Sequence, residues 1–279
     1  MYDTKTRSLL TVLDCQSSGG TMRLDLSPNI ILAASSYGVL SVWDREDFSL
    51  VFRDERLHQA EVTGVKVQET IIITGDSDGQ VVRTDLARLG QESQTIVAEE
   101  KRPVTELDYQ QNILLLGSYS SLRVGSLSLE GKYKSSQLIK TDFVGDCKLS
   151  PPLALISCGE YRPGVQVWDL RTGLLVRTIF PHLVFLSLEI SDNLLFSVIT
   201  SSDLTFPHVY IIDLERAVRG KTLQTRQFTC QQSTLLKPSL CIKDSRMFQA
   251  HGTQLKIMDF WYYQLSDWEI ETFLDGIKL

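Results

Sequence analysis

The sequence predicts an all-β fold, a β-propeller of six blades with four antiparallel strands each. Three observations predict this fold class. A strand that ends in aspartate recurs about every 40 residues, further apolar strands accompany each copy, and no strongly periodic helix interrupts them before the C-terminus. Repeats of this period form architectures in which each unit buries its faces against its neighbours. When the unit is a small antiparallel sheet, a closed ring of such units is a propeller.

The recurring mark is a strand of alternating apolar residues that ends at an aspartate. GVQVWDLRTG from Gly164 is the clearest copy, and GVLSVWDRED from Gly38 follows the same pattern. The aspartates that end five copies are Asp44, Asp85, Asp169, Asp213 and Asp259. A further copy, SSLRVGSLSL, has serine at this place, at Ser126 or Ser128. We expect the five carboxylates to cap the turns after their strands, because aspartate accepts hydrogen bonds from nearby backbone N–H groups.

Each copy contains three other strand-like segments. The first alternates, as at Leu24 and Leu26, and the second is a continuous apolar run, as in III at residues 71–73. A short fourth strand follows the aspartate in most copies. Alternation with period two points side chains to one face of a strand, whereas a continuous run suits a strand covered on both faces. The pattern therefore predicts four strands per unit, stacked against the next unit.

We predict one propeller domain over residues 1–260 and a C-terminal tail over 261–279. The predicted blades span 21–53, 61–98, 103–139, 143–179, 183–228 and 236–259. The last copy lacks an obvious fourth strand, and SLLTVLDC at residues 8–15 is predicted to supply it and close the ring. In the tail, a capping box begins at Ser266 and Gly276 stands where a helix would stop. A short helix is expected there, either packed across the ring or docking a partner.

The units resemble WD40 repeats over roughly residues 8 to 260. The closest copies are VWD at 42–44 and VWDLRTG at 167–173, and LHQAEVTGVKV from Leu57 has the His-x3-Val-x2-Val spacing that opens a unit of that family. The resemblance implies a structural hydrogen-bond network within a blade. In this sequence the network would consist of His58, Thr74 and Asp78, with Thr84 at the position that the family gives to tryptophan.

A narrower resemblance involves two segments, SLCIKDSRMFQAHGTQLKIMDF and LSPPLALISCGEYRPGVQVWDL. They are similar to the propellers of F-box/WD-repeat proteins, which are substrate receptors of cullin-type ubiquitin ligases. This resemblance implies ubiquitin-ligase components as partners. No F-box is expected within the chain, because its helices would need several tens of residues ahead of the ring.

Composition favours a soluble protein in the cytoplasm or nucleus. The formal net charge of −6 gives no reason to expect nucleic acid or a membrane as partner, since both need a concentrated positive field. No apolar run approaches the roughly 20 residues that span a bilayer, and the first residues lack the apolar core of a signal peptide. The five cysteines are scattered without a CxxC pair, which indicates reduced thiols.

Motifs for catalysis, metals and cofactors are missing from the sequence. There is no G-x-S-x-G, GxxxxGK[ST], HExxH or GxGxxG segment. The four histidines are far apart, and none lies within a few residues of a cysteine. We therefore predict no enzyme activity, no metal site and no cofactor. Trp43 and Trp168 are predicted to pack within their blades.

One rim of the propeller is the predicted binding surface. The loops that join second to third strands share this rim with the loops that join one blade to the next. Tyrosine and arginine are the residues most enriched at binding hot spots. The predicted contact set consists of Tyr37, Arg102, Tyr119, Tyr161 and Arg162. The alternative for each tyrosine is that it only shields its own hairpin.

The predicted function is a non-catalytic scaffold, a monomeric propeller within a complex, that binds peptides or proteins on this rim. Two alternatives remain open. A structural subunit of a larger intracellular complex would expose a contiguous apolar patch on the outer side of a blade. A hydrolase that uses the central funnel would gather titratable groups with shifted pKa values in one pocket.

Overall fold

The computed structural model describes most of the first 200 residues and shorter stretches after them. The described residues are 13, 22–89, 93–128, 130–141, 144–158, 164–191, 194–200, 208–219, 225–229, 239–243, 246–251 and 254–259. They form almost exclusively β-strands, with one 3-10 helix (Leu86–Arg88) and one short helix α1 (Leu214–Val218). The all-β prediction is confirmed.

Five sheets have four strands each, in sequential antiparallel order. Blade 1 consists of β1 (Met22–Leu26), β2 (Ile30–Ser35), β3 (Leu40–Asp44) and β4 (Leu50–Asp54). Blade 2 consists of β5 (Val62–Gln68), β6 (Ile71–Asp76), β7 (Gln80–Asp85) and β8 (Gln94–Glu99). Blade 3 consists of β9 (Glu106–Gln110), β10 (Ile113–Ser118), β11 (Ser121–Leu127) and β12 (Tyr133–Lys140).

Blade 4 consists of β13 (Val144–Ser150), β14 (Leu153–Cys158), β15 (Gly164–Asp169) and β16 (Leu174–Ile179). Blade 5 consists of β17 (Val184–Ser191), β18 (Leu194–Thr200), β19 (His208–Asp213) and β20 (Thr225–Thr229). The last sheet has three strands, β21 (Ser239–Lys243), β22 (Arg246–His251) and β23 (Gln254–Asp259).

The prediction of six four-stranded blades is wrong in number, because the described residues contain five. The described residues of the final repeat form a three-stranded sheet, in keeping with a sequence copy that lacks an obvious fourth strand. Of the predicted closing strand at residues 8–15, only Leu13 is described. It packs against a small cluster of Ile31, Ala33 and Trp43 in blade 1. The rest of that strand and the C-terminal tail lie outside the described residues.

The chain divides into two compact units, Met1–Phe185 and Leu186–Leu279. The first contains blades 1 to 4 and the first two residues of β17, and the second contains the rest of blade 5 together with the three-stranded sheet. In the second unit, Ser197 at the middle of β18 is fully buried and donates its hydroxyl to the carbonyl of Ser187 at 2.6 Å. This bond satisfies a polar group that would otherwise be costly to bury.

In the first unit, apolar side chains fill the space between neighbouring blades. Ile72 of blade 2 belongs to a cluster with blade 1 residues, while Ile73, the next residue along β6, belongs to a cluster with blade 3 residues. Leu114 and Leu115 of β10 likewise face blade 2 and blade 4. The continuous apolar runs of the second strands therefore arise because these strands are covered on both faces. Cys147 is a free thiol in the cluster between blades 3 and 4, and burial raises its pKa.

The first strands of blades 1 to 4 carry acidic and basic residues alternately at one register position. Each of these residues stands opposite an apolar residue of the second strand, in the pairs Asp25–Leu32, Lys66–Ile73, Asp108–Leu115 and Lys148–Leu155. The first strands of neighbouring blades contact each other. The charged residues are thus placed where one blade meets the next.

The two aspartates of this series connect their blade to the following one. Oδ2 of Asp25 accepts a hydrogen bond from the backbone N–H of Val67 at 2.7 Å, and Oδ2 of Asp108 accepts one from Leu149 at 2.7 Å. Lys66 Nζ lies 3.4 Å from Oδ1 of Asp108. Asp108 in blade 3 therefore contacts blade 2 and blade 4 at once. Charge-assisted bonds of this kind are stronger than neutral ones.

Candidate binding groove

The two sets of loops that were predicted to share a rim are hydrogen-bonded to each other in three successive blades. In blade 1 the backbone N–H of His58 donates to the carbonyl of Gly38 at 3.4 Å. In blade 2 Glu100 donates to Gly79 at 2.8 Å, and in blade 3 Thr141 donates to Ser120 at 3.1 Å. Each loop that leaves a blade therefore lies over the turn between the second and third strands of that blade.

A buried hydrogen-bond network lies in blade 2 below this rim. Nδ1 of His58 lies 2.8 Å from Oδ2 of Asp76, and its Nε2 lies 2.7 Å from the hydroxyl of Thr74. Oδ1 of Asp76 also accepts the backbone N–H groups of Asp78 and Gln80. The carboxylate in the network is Asp76, whereas the sequence assigned it to Asp78. β6 ends at Asp76, so this side chain is buried, while Asp78 stands two residues further along in the exposed turn.

The protonation state of His58 follows from this environment. Burial lowers the pKa of His58, while the hydrogen bond and charge of Asp76 oppose that shift. The ring is therefore neutral at physiological pH, with the proton on Nδ1 facing the carboxylate and Nε2 accepting from Thr74. Thr84, at the position that WD40 repeats give to tryptophan, is fully buried, and its hydroxyl has no hydrogen-bond partner among the described residues. The groups of the network are buried from solvent, so the network has a structural role.

We expect the free energy of unfolding to decrease as the pH falls below 6.5, the ordinary pKa of histidine. In that range the unfolded chain binds a proton at His58 that the folded chain, with its lower pKa, does not bind, so acidification favours unfolding. Urea unfolding on both sides of pH 6.5 measures the slope. His58→Gln should flatten it, and His182→Gln, which changes an exposed histidine, should not. An unchanged slope in His58→Gln would contradict the expectation.

The recurrent aspartates lie at strand ends, and four of them have described side chains. Asp44 accepts the backbone N–H of Glu46 at 2.6 Å, and Asp169 accepts that of Arg171 at 2.7 Å. Asp85 caps the 3-10 helix and Asp213 caps α1, each through a backbone N–H two or three residues ahead. The side chain of Asp259 lies outside the described residues.

The two tryptophans of the VWD segments are placed inside their blades. Trp43 is buried beside Ile31 and Ala33. Trp168 is partly buried against the cluster between blades 3 and 4, and its Nε1 donates to Oε1 of Gln166 at 3.1 Å. Both positions fit packing within the sheet.

A groove of about 500 Å³ opens on the rim at blade 3. The loop that leaves blade 2 forms one side, the turn between β10 and β11 forms a second, and the outer strands of blade 3 form the third. The lining residues are Glu100, Lys101, Arg102, Ser118, Ser120, Ser121, Arg123, Leu138, Lys140 and Thr141. All of them belong to the first compact unit.

The loop on the blade 2 side of the groove is held in position by its contact with a glycine turn. Gly79 has a φ of +92°, which an L side chain rarely adopts, and a Cβ added to it would lie 2.3 Å from the carbonyl oxygen of Glu100 and 2.7 Å from that of Arg102. Only glycine allows this approach without displacement. The side chain of Arg102 also donates from Nη1 to the hydroxyl of Ser120, across the groove. The loop is therefore held by a backbone contact with the Gly79 turn and by a side-chain hydrogen bond to Ser120.

The groove is positively charged, although the chain as a whole is acidic. Four of its residues are cationic, namely Lys101, Arg102, Arg123 and Lys140, and one is anionic, Glu100, so its formal net charge is +3. Nε of Arg123 lies 2.8 Å from Oε2 of Glu100. Neither lysine forms an ion pair with a described residue. The groove therefore carries a local positive potential that the net charge of −6 conceals.

The predicted contact residues are distributed unequally around this groove. Arg102 lines it, and Tyr119 stands at the tip of the turn that forms its second side, with 55% of its surface exposed. Tyr37 is 62% exposed at the corresponding turn of blade 1 and does not line the groove. Tyr161 and Arg162 lie outside the described residues. The exposure of the two described tyrosines fits a contact residue and equally a side chain that shields its own hairpin.

Sequence reasoning missed Arg123 and Ser118, because both belong to strands, β11 and β10, and not to the loops that the topology places on the rim. Arg123 lies between Leu122 and Val124, the apolar pair used to identify β11. In an alternating strand the residue between two buried ones points to the opposite face. That signal was available in the sequence.

The described part of the chain has no arrangement suited to a metal ion and no membrane-spanning helix. No group of three histidine, cysteine, aspartate or glutamate side chains there is arranged to hold a metal ion. No helix among the described residues is long and apolar enough to cross a membrane.

Comparison with known proteins gives the fold class. No protein-family model matches the sequence, and no curated protein matches it significantly. Among solved structures, a chain from the crystal structure of the mitotic checkpoint complex is similar with a TM-score of 0.72 at 15% identity, over 93% of this chain and 80% of that one. The computationally designed Ika8 protein is similar with a TM-score of 0.59 at 20% identity, over 85% and 70%. At these identities the likeness shows the fold alone.

The chain is a β-propeller whose blades are four-stranded antiparallel sheets, five of them in the described residues. Such a fold is consistent with a protein-interaction scaffold. The fold alone does not define the function, which depends on the sites that the fold carries.

Proposed function

We propose that this protein is a non-catalytic interaction scaffold that binds a protein or peptide partner in the groove on its rim. The observation that supports this proposal is the groove itself, a concave surface that is lined by arginine, lysine and hydroxyl groups and is flanked by exposed Tyr119. Arginine and tyrosine are favoured at the energetic centres of protein interfaces. WD40 membership, which the repeat pattern suggests, agrees with such a role.

Capture of partners by the tagged full chain tests the proposal. We expect Arg102→Glu and Tyr119→Ala to lose the same partners while their urea unfolding curves match that of the wild type, because both residues are exposed. Lys134→Glu is the matched control, since it changes an exposed lysine of blade 3 that does not line the groove. An unchanged set of partners in Arg102→Glu and Tyr119→Ala would refute binding in the groove.

A second candidate function, a structural subunit of a larger complex, is favoured by the outer strand of blade 4. Three consecutive apolar residues of β16 are exposed, Leu174 at 66%, Leu175 at 44% and Val176 at 42%. In its sheet β16 pairs only with β15. Contiguous exposed apolar side chains on an edge strand are typical of a surface that another protein covers. Loss of the partners in Leu174→Asp, with retention in Arg102→Glu, would support this function instead.

The finer hypothesis, a substrate receptor of a cullin-type ubiquitin ligase, rests on the sequence resemblance alone. It predicts ligase adaptor proteins among the captured partners, and mass spectrometry of the captured material distinguishes it from a scaffold of another kind.

A further inference from the structure

We propose that the groove on blade 3 recognises an acidic peptide segment, in which carboxylate side chains flank an apolar residue. The proposal rests on the proposed function, because it names the chemistry of the partner that the groove would bind. It is carried by the charge of the groove, by the way its arginines are already engaged, and by one exposed leucine in its wall.

The charge of the groove selects an anionic ligand. Lys101 and Lys140 are exposed on different sides of it, and neither is neutralised by a described carboxylate. A concave surface of one sign raises the local concentration of oppositely charged ligands and speeds their association. The chain as a whole has a formal net charge of −6, whereas the cations of this groove exceed its anions by three.

The arrangement of the cations favours separate carboxylates over one compact phosphate. The fork of an arginine matches a carboxylate as well as a phosphate, so the positions of the cations decide between the two ligands. Here Arg123 already holds the carboxylate of Glu100 through Nε at 2.8 Å, and Arg102 holds the hydroxyl of Ser120 through Nη1, so each guanidinium has one nitrogen engaged. The two lysines act as single charges at different points of the wall. Several carboxylates along a peptide match this distribution, and Glu100 itself is an example of a carboxylate bound in the groove.

The uncharged lining supplies the remaining contacts. Ser118 and Ser121 share a hydrogen bond of 2.8 Å, and both lie in the wall beside Ser120. Hydroxyl groups can donate to peptide carbonyls or carboxylates. Leu138 exposes 51% of its surface in the same wall and provides an apolar contact. The volume of about 500 Å³ suits a few residues and exceeds what a single ion would need.

Fluorescence anisotropy with defined peptides tests the proposal on the full chain. The probe is a fluorescein-labelled peptide with glutamates on both sides of a leucine. Matched peptides carry glutamine in place of each glutamate, or phosphoserine in place of each glutamate. We expect the glutamate peptide to bind, the glutamine peptide to bind at least about tenfold more weakly, and the affinity to fall as salt is added.

Two double variants with the same change of charge locate the binding. Lys101→Glu/Lys140→Glu should weaken the binding of the glutamate peptide at least about tenfold. Lys132→Glu/Lys134→Glu, which alters exposed lysines of blade 3 outside the groove, should weaken it less than about twofold. Equal weakening by both pairs, equal binding of the glutamate and glutamine peptides, or binding of the phosphoserine peptide alone would overturn the proposal. If Arg102→Glu still abolishes capture of partners in that case, the scaffold function stands and only the acidic-peptide inference fails.

Discussion

Replacement of Asp108 by alanine is expected to lower the free energy of unfolding by about 3 kcal/mol. The carboxylate accepts hydrogen bonds from the backbone N–H groups of Leu149 and Tyr109 and forms an ion pair with Lys66. Alanine would leave the buried N–H of Leu149 in blade 4 without an acceptor and Lys66 in blade 2 without its partner. Urea unfolding followed by tryptophan fluorescence measures the loss.

Two further variants show whether the effect arises between blades. Asp108→Asn keeps an acceptor oxygen but removes the charge, so we expect about half of the loss. Asp25→Ala removes the corresponding bond to Val67 in a more exposed position, and we expect a loss of about 1 kcal/mol. A value for Asp108→Ala within about 0.5 kcal/mol of wild type would show that the inter-blade contacts do not contribute to stability.

The second large effect is expected from Asp76→Ala in the buried network of blade 2. Without the carboxylate, Nδ1 of His58 and the turn N–H groups of Asp78 and Gln80 lose their acceptor. An unsatisfied buried group costs about 1 to 3 kcal/mol. We therefore expect a loss of about 3 kcal/mol in the free energy of unfolding, measured by the same method.

Asp78→Ala is the control for the second prediction. Asp78 belongs to the same turn, but its side chain is exposed and accepts no hydrogen bond from a described residue. We expect its effect to stay within about 0.5 kcal/mol. If Asp78→Ala were the more damaging of the two substitutions, the network would be centred where the sequence resemblance placed it, and the structural assignment would be wrong.

The strand pattern of this protein could be predicted because it depends on burial, which is visible in the sequence. Ile72 and Ile73 face different neighbouring blades. A continuous run of apolar residues indicates a strand that is covered on both faces. The four-stranded antiparallel blades are confirmed for this reason. The sixth repeat was weaker, with only Met247 and Phe248 in its second strand, and its described residues form three strands.

Polar contacts between blades could not be read from apolar positions alone. Alternating apolar pairs such as Leu107 and Tyr109 predict the first strands. The residue between this pair is Asp108, whose partner Leu149 lies 41 positions ahead. Contacts at such separation depend on the stacking of sheets, which single-strand patterns do not describe. Alignment of the first strands with one another would have shown the alternation of acidic and basic residues.

The candidate site could be predicted only in part, because its loops follow from the topology and its strand residues from the pairing of strands. Topology placed Arg102 and Tyr119 on the rim, because loops at one end of the sheets come together. Arg123 and Leu138 face the groove from paired positions on β11 and β12, and such strand positions reach the surface only through the register of the sheet. The groove is therefore assembled from loops that the topology predicts and from strand residues that only the paired register brings beside them.

Carboxylate and ammonium groups alternate along blades 1 to 4, so odd-numbered and even-numbered blades carry opposite charges at this position. Odd-numbered blades offer an acceptor to the backbone of their successor, and even-numbered blades hold a lysine at the same position. Duplication of any one of these blades, or deletion of blade 2 or blade 3, would bring like charges into succession. A gain or loss of two adjacent blades would keep the order intact. In this part of the chain, the charge pattern between blades therefore repeats every two blades and not every blade.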